Sequence, residues 1–266
     1  MADDQKAPPP SGLDTTGPSP ARVYDYILGG KDNFAIDREA AQKILAAAPD
    51  TGALALANRE FLVRAVRFMA QSGICQFIDV GTGIPTSPSV HEVARSFDPS
   101  ARVVYVDNDP MVVVHNRARL ATDDGIEAID GDVRDAEGIL SDPQLHDLID
   151  YDEPVGVLVI AVLHFISDEE DPAGALARFR DRMAPGSYLV IAQMTADGDP
   201  EGLEQARAAG ASAGTNPTFR SREELLSFFE GFELVAPGLV DVQHWRPEHD
   251  AAPTRLKVAG GVGRRI

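Results

Sequence analysis

The chain has 266 residues, 44% of them apolar, which is enough to bury one large α/β domain with additions or two small domains. Its 42 acidic residues outnumber 24 basic ones, and the formal charge of −18 disfavours nucleic-acid backbones and anionic membrane surfaces as partners, because the field sums over all charges. The single cysteine, Cys75, cannot pair within the chain and fits a reducing cytoplasm; no run approaches the roughly 20 apolar residues of a membrane span, and MADDQKAPPPSG has no apolar signal core.

Residues 1–19 are rich in Pro and Gly with few large apolar groups, and are expected to form a disordered lead-in. ARVYDYIL predicts a short helix from about Pro20, broken by Gly29-Gly30. IDREAAQKILAAA has helical spacing and stops before Pro49. Leu54, Ala57, Phe61, Ala65 and Phe68 then recur at three- and four-residue steps, which predicts a long amphipathic helix. Residues 20–73 therefore read as a helical cap preceding the first strand.

From Ile74 short apolar runs alternate with helix-length segments. The runs are QFIDV, RVVYVDND, GIEAIDGD, VGVLVIAVL, GSYLVIAQ, FELVAPGLV and RLKVAG, and the helical segments are 86–97, 110–121, 171–183 and 199–210. Ser221 and Glu224 form a capping-box pattern ahead of LLSFF. This alternation predicts a doubly wound, mostly parallel sheet of seven strands over residues 74–266, with ligands bound beyond the carboxyl ends of the strands.

Those strand ends carry the chemistry. The first ends in Asp79-Val80-Gly81-Thr82-Gly83, the second in Asp107-Asn108-Asp109, the third in Asp130-Gly131-Asp132, and the fourth near Ala161-Val162-Leu163-His164. Three consecutive strands thus deliver a carboxylate to one edge. A dinucleotide fingerprint would place a third glycine where Thr86 stands, and Asp79 would repel a pyrophosphate. A P-loop needs a lysine after its glycines, yet no lysine lies between Lys43 and Lys257. An acidic, lysine-free pocket around a glycine turn suits a nucleoside with a positive tail. S-adenosylmethionine, with its adenosine, sulfonium and amino acid, has that description.

D-V-G-T-G resembles the first motif of the class I methyltransferases, departing at Pro85 from the usual third glycine. The chain is more specifically similar to a bacterial S-adenosyl methyltransferase family long catalogued as a domain of unknown function. That similarity rests on SPARVYDYILGGKDNF, ANREFLVRAVRF, QFIDVGTGIPT, VHEVA, VVYVDNDP and PGLVDVQHWRP. It implies a Rossmann-like methyltransferase sheet, S-adenosyl-L-methionine as cofactor and S-adenosyl-L-homocysteine as product, with no acceptor specified. It also implies that Asp107 holds the ribose hydroxyls and that Asp132 with Val133 borders the adenine. The expected cofactor set is Asp79, Gly81, Thr82, Gly83, Asp107, Asn108, Asp132, Val133 and Ala161. Asp109, ahead of Pro110, and Asp130 read as structural.

His164, after the fourth strand, is the candidate catalytic residue, since a neutral imidazole there could take a proton from an attacking hydroxyl or amine. The competing reading is a histidine hydrogen-bonded behind the strand end. His91 and His244-Trp245-Arg246 read first as packing. Arg22, Arg59 and Arg64 pair either with a ligand carboxylate or with acidic surface groups. YDYILGGKDNF, residues 24–34, reads as a lid: the paired glycines permit a hinge, Tyr26 and Phe34 cover apolar parts of the cofactor, Lys31 meets its carboxylate, and Asn33 meets its amine or the acceptor. The fourth strand lacks the Asn/Asp-Pro-Pro-aromatic motif of base-amino methyltransferases. Together with the charge, this favours a small-molecule or protein acceptor over nucleic acid or membrane. No metal is expected. The alternative class is a non-catalytic module that binds the cofactor or its product and acts through a partner protein.

Overall fold

The computed structural model describes residues 16–212, 215–250 and 253–266. Three helices come first: α1 (Pro20–Ile27), α2 (Ala35–Ala47) and α3 (Thr51–Gln71). The alternation then runs β1 (Gln76–Val80), α4 (Val90–Arg95), β2 (Arg102–Asp107), α5 (Pro110–Arg119), β3 (Ile126–Asp130), α6 (Ala136–Leu140), α7 (Pro143–Leu148) and β4 (Gly156–Ile160). It continues through α8 (Pro172–Arg182), β5 (Tyr188–Met194), α9 (Pro200–Ser212), α10 (Arg222–Ser227), β6 (Phe232–Leu234), β7 (Val240–Asp241) and β8 (Val258–Arg265).

The helix starts follow from capping chemistry. Pro110 stands at the first turn of α5 behind Asp109, whose side chain accepts from the Met111 N–H. Ser221 and Glu224 close the expected capping box on α10. The segment expected at 86–97 becomes helical only at Val90, where Ser89 and Glu92 form a second capping box, because Pro88 directly before Ser89 is suited to a turn.

The strands order as β3-β2-β1-β4-β5-β8-β6, parallel from β3 to β5, with β8 antiparallel between β5 and β6. The sheet has eight strands where seven were expected, because FELVAPGLV is split. β6 pairs with Gly263–Arg265 and the two-residue β7 with Ala259–Gly260, both along the same edge of β8. The Val235 N–H donates to the Val262 carbonyl between them, so β6 and β7 occupy one strand position interrupted at Ala236-Pro237-Gly238.

Both faces are covered. On one, Leu54, Phe61, Leu62, Ala65 and Met69 of α3 pack with Phe77, Tyr105, Leu158, Ile160 and Val190, and Trp245 joins them edge-on to Phe61. On the other, Ile78, Val104, Val157 and Ile191 meet Ile139, Leu145, Leu176, Phe179 and Leu225. The period-2 alternation places Asp79 with Phe77, and Asp107 with Tyr105, on the α3 face. Among the described residues no helix is long and apolar enough to cross a membrane, and no His, Cys, Asp or Glu group could hold a metal ion.

α1 and α2 pack on each other and on α3, and bridge between α5 and α9. At one side the Ser19 hydroxyl donates to Asp109 (2.6 Å), and Arg119 pairs with Asp32. At the other, α2 packs on α9. The disordered lead-in expected over 1–19 falls outside the described residues up to residue 15, and Gly17 and Ser19 are bonded into the helical region.

Candidate active site

The chain runs outward from β1 to β2 and β3, then returns to β4 on the other side of β1, so the turn after β1 sits where strand order reverses. The local sequence dictates that turn. Gly81 and Gly83 both have positive φ, 74° and 70°. A Cβ on Gly81 would overlap a methyl of Val162, whereas one on Gly83 would meet nothing within 4 Å. The first glycine is therefore needed for packing against the β4 end, and the second faces open space beside the strand ends. The Thr82 hydroxyl donates to the Asp79 carbonyl (2.9 Å), and the Gly81 and Thr82 N–H groups donate to Val106. Ala161, just past β4, is also left-handed at φ 59° and is held by its N–H on Ala192.

Asp79 and Asp107 are both buried on the α3 face. Burial pushes the Asp79 carboxyl up to about 7, with Arg59 opposing and Asp107 reinforcing the shift. Burial likewise pushes Asp107 up to about 6, against hydrogen bonds from the Asp109 and Gly83 backbones. Asp107 Oδ2 accepts from the Gly83 N–H at 2.8 Å and Oδ1 from the Asp109 N–H at 3.0 Å. Each oxygen keeps a lone pair. Asp107 is thus not the N-cap of α5; Asp109 is. Two buried carboxylates beside a tight turn make an under-neutralised pocket, which suits a ligand bringing an ammonium and hydroxyl donors.

Asp132 differs. It is half-exposed and held down to about 2 by hydrogen bonds from Arg134, with Asn108 Nδ2 at 2.9 Å completing its set. Arg134 also reaches Glu170 (2.9 Å). Asn108 and Asp132 are therefore joined across the β2 and β3 ends, above buried Val133. His164 lies in a one-turn 3-10 segment, Leu163–Phe165. Burial, with Arg220 nearby, pulls its imidazole down to about 4, and its buried Nδ1 has no partner. The Phe165 ring lies against the imidazole, tilted by 56° with centroids 4.2 Å apart. Arg220 holds this turn by donating to the Leu163 and Ile166 carbonyls and to Asp168.

The residues expected in the lid have other local partners. Asn33 Nδ2 donates to Asp25 Oδ2 (2.8 Å) and to the Gly30 carbonyl, and its Oδ1 accepts from Arg38. The Asp32 N–H also donates to Asp25. Gly30 is required because a Cβ would strike the Asp25 carboxylate. Tyr26 packs beside Val23, Ala40 and Ala41, and Lys31 is exposed. Of the three arginines, Arg22 pairs with buried Asp37 (2.8 Å) and Arg64 donates to the Trp245 and Val242 carbonyls. Arg59 donates to the Thr86 and Pro88 carbonyls, clamping the continuation of the glycine turn. His91 bonds the Tyr105 hydroxyl (2.9 Å) and is part of the packing.

Sequence reasoning missed Asn58, Tyr24, Arg134 and Arg220. Asn58 had a visible signal, a polar residue on the buried stripe defined by Leu54, Phe61 and Ala65. Arg220 gave none, because its partner Asp168 is distant in sequence, whereas Arg134 stands two residues from Asp132, a spacing that carries no signal of its own.

The signature of a family described as S-adenosyl methyltransferase matches residues 6–266. A DUF574-family protein from Streptomyces avermitilis is 38% identical, with 95% of this chain and 99% of that chain covered and a TM-score of 0.92. A candidate methyltransferase from Thermobifida fusca is 40% identical over 97% of this chain and 98% of that one, with a TM-score of 0.90. The N-methyltransferase NodS from Bradyrhizobium japonicum, in complex with S-adenosyl-L-homocysteine, shares the fold alone at 14% identity and a TM-score of 0.50, over 92% of this chain and 98% of that one. No functionally curated protein matches. The chain belongs to the S-adenosyl methyltransferase family and is an S-adenosylmethionine-dependent methyltransferase.

Proposed function

We propose that the chain methylates a small-molecule acceptor held beneath the α1–α2 cap. The observation that carries this reading is closure. Asp79, Asp107 and His164 are only 4%, 7% and 8% exposed, and the cap bridges from α5 to α9. A folded protein would have to thread a side chain beneath that roof, whereas a small acceptor needs the cap only to part. The charge of −18 weighs further against nucleic acid.

In this reading Asp79 meets the cofactor ammonium and the free lone pairs of Asp107 meet the ribose hydroxyls. Gly81, Thr82 and Gly83 pass beneath the cofactor, Asn108, Asp132 and Val133 border the adenine, and Ala161 borders the methyl side. Bound S-adenosylmethionine supplies an electrophilic methyl on sulfonium; the chain's residues bind, orient and exclude water. His164, neutral at physiological pH, accepts a hydrogen bond from the acceptor's O–H or N–H. An imidazole held near 4 keeps a proton poorly, so its role is to aim the nucleophile. Tyr26, Lys31 and Asn33 belong to a lid that moves as one preformed unit, since Asp25 ties the 30–33 turn together.

The test is transfer from S-adenosylmethionine labelled in its methyl group to a bacterial extract divided by dialysis. Label in the dialysable fraction supports a small acceptor. Label in protein overturns it, and cofactor binding without any transfer points to a non-catalytic module.

A further inference from the structure

Asn58 on α3 is 4% exposed, and its Oδ1 is buried with no hydrogen-bond partner. A buried amide oxygen without a donor costs stability, so such an atom in a folded protein calls for an explanation. The orientation of the amide follows from its neighbour. Tyr24 has one hydroxyl proton, which it donates to the Ala55 carbonyl at 3.0 Å. Its oxygen can then only accept, and Asn58 presents Nδ2 to it at 3.2 Å. Oδ1 must point the other way.

Its place in the fold can be read from the packing. α3 runs antiparallel to β1, with Gln71 near the start of that strand, so the α3 N-terminal half lies at the carboxyl ends of the strands. Phe61 packs where Gly260 would carry a Cβ; Gly260 is in register with Ala192, and Ala192 with Ile160, the last residue of β4. Asn58 lies about one helical turn beyond Phe61, at the level of Ala161 and Val162. Arg59, the next residue, grips the segment after the glycine turn and acts electrostatically on both Asp79 and Tyr24. Oδ1 of Asn58 is thus a lone acceptor on the same sheet face as Asp79 and Asp107, on a helix that packs over β4, β5 and β8 and meets α4.

An amide oxygen recognises only donors. S-adenosylmethionine offers donors at the adenine amine, the ribose hydroxyls and the ammonium, and the first two belong with the β3 and β2 ends in the arrangement above. We propose that Asn58 Oδ1 accepts a hydrogen bond from the cofactor's α-ammonium opposite Asp79, and that Tyr24 is the positioning residue that keeps Oδ1, rather than Nδ2, turned toward it. This inference rests on the cofactor placement of the preceding section.

The test compares two ligands by calorimetry, S-adenosylmethionine and 5′-methylthioadenosine, which has the nucleoside and sulfur but no amino-acid part. Asn58→Ala should weaken S-adenosylmethionine about tenfold, the loss of one hydrogen bond to a charged group, and leave methylthioadenosine unchanged. Tyr24→Phe, which keeps the ring but lets the amide turn over, should give a smaller loss of the same selective kind and keeps the test open if Asn58→Ala does not fold. Equal weakening of both ligands would make Asn58 a packing residue and overturn the proposal, as would unchanged affinity for both. If the wild-type protein bound neither ligand, the cofactor placement itself would fall.

Discussion

Asp79→Asn separates the two demands made on the buried carboxylate. The folded protein holds Asp79 near 7, mainly by burial, whereas the ordinary carboxyl lies near 4. Because this pKa is raised, the fold retains a proton that the unfolded chain releases. The associated stability is complete below the unfolded value and is lost as pH rises through about 7. At about 1.4 kcal/mol per pKa unit, ionised Asp79 costs the ligand-free protein on the order of 4 kcal/mol above pH 7, of which about 3 develops between pH 5 and pH 8. Asparagine keeps the shape and never ionises, and it also removes the repulsion between Asp79 and Asp107. The variant should therefore be more stable than wild type by about 4 kcal/mol at pH 8 and by only about 1 kcal/mol at pH 5, converging with it below about pH 4. Its affinity for S-adenosylmethionine should fall by roughly 1.5–3 kcal/mol, the usual worth of a hydrogen bond to a charged group. Denaturant unfolding of both proteins across this pH range, with calorimetric titration of the cofactor, measures both effects. Binding to wild type below pH 7 should also release a proton, seen as a buffer-dependent binding enthalpy. Parallel pH profiles for the two proteins, or unchanged cofactor affinity in the variant, would refute the reasoning and leave Asp79 as an ordinary core residue.

Asp107→Ala should lose affinity for S-adenosylmethionine by about 1.5–3 kcal/mol per hydroxyl bond and loosen the glycine turn, since the Gly83 and Asp109 N–H groups lose their acceptor. Asp107→Asn should lose less, as one acceptor remains; calorimetry decides, and unchanged affinity for the alanine variant would confine Asp107 to holding the turn. His164→Ala should leave cofactor affinity within about threefold while slowing transfer, and the wild-type imidazole, followed by NMR, should stay neutral until the pH falls to about 4; a collapse of binding would make His164 structural. Residues 24–34 should gain hydrogen-exchange protection together, as one unit, when S-adenosylmethionine or its product binds, and equal protection with and without ligand would remove the lid.

The regular part of this molecule was legible because its signals are local. Each apolar run became a strand, since β-branched residues bounded by Gly, Asp and Pro leave the backbone few options. The carboxylates at Asp79, Asp107 and Asp132 were visible as residues, but not their different electrostatic states. Asp79 and Asp107 are buried on the α3 face of the sheet, while Asp132 meets Arg134, and no spacing rule reports burial. The turn after Gly29 looked like a hinge because paired glycines permit one. Its actual constraint is the Asp25 carboxylate, which fills the place of a Gly30 side chain and gathers Asp32 and Asn33. The split of the last edge position into β6 and β7 was hidden because Ala236-Pro237-Gly238 interrupts a run that is otherwise continuously strand-like.

The position of β8 bears on how the chain can be made. It is synthesised after β1–β7, yet it lies inside the sheet, with β5 on one side and β6 and β7 on the other. Until Val258–Arg265 has left the ribosome, β5 offers an unpaired edge and β6 has nothing to pair with. Closure of the sheet therefore waits for β8, joining residues far apart in sequence. Gly260, Gly261 and Gly263 let this late strand slide in, because a side chain at those positions would meet Phe61, Val242, Phe229 or Phe232 already in place. A nascent chain stalled before Val258 would carry the complete glycine turn and its acidic neighbours on a sheet still open at its β5 edge.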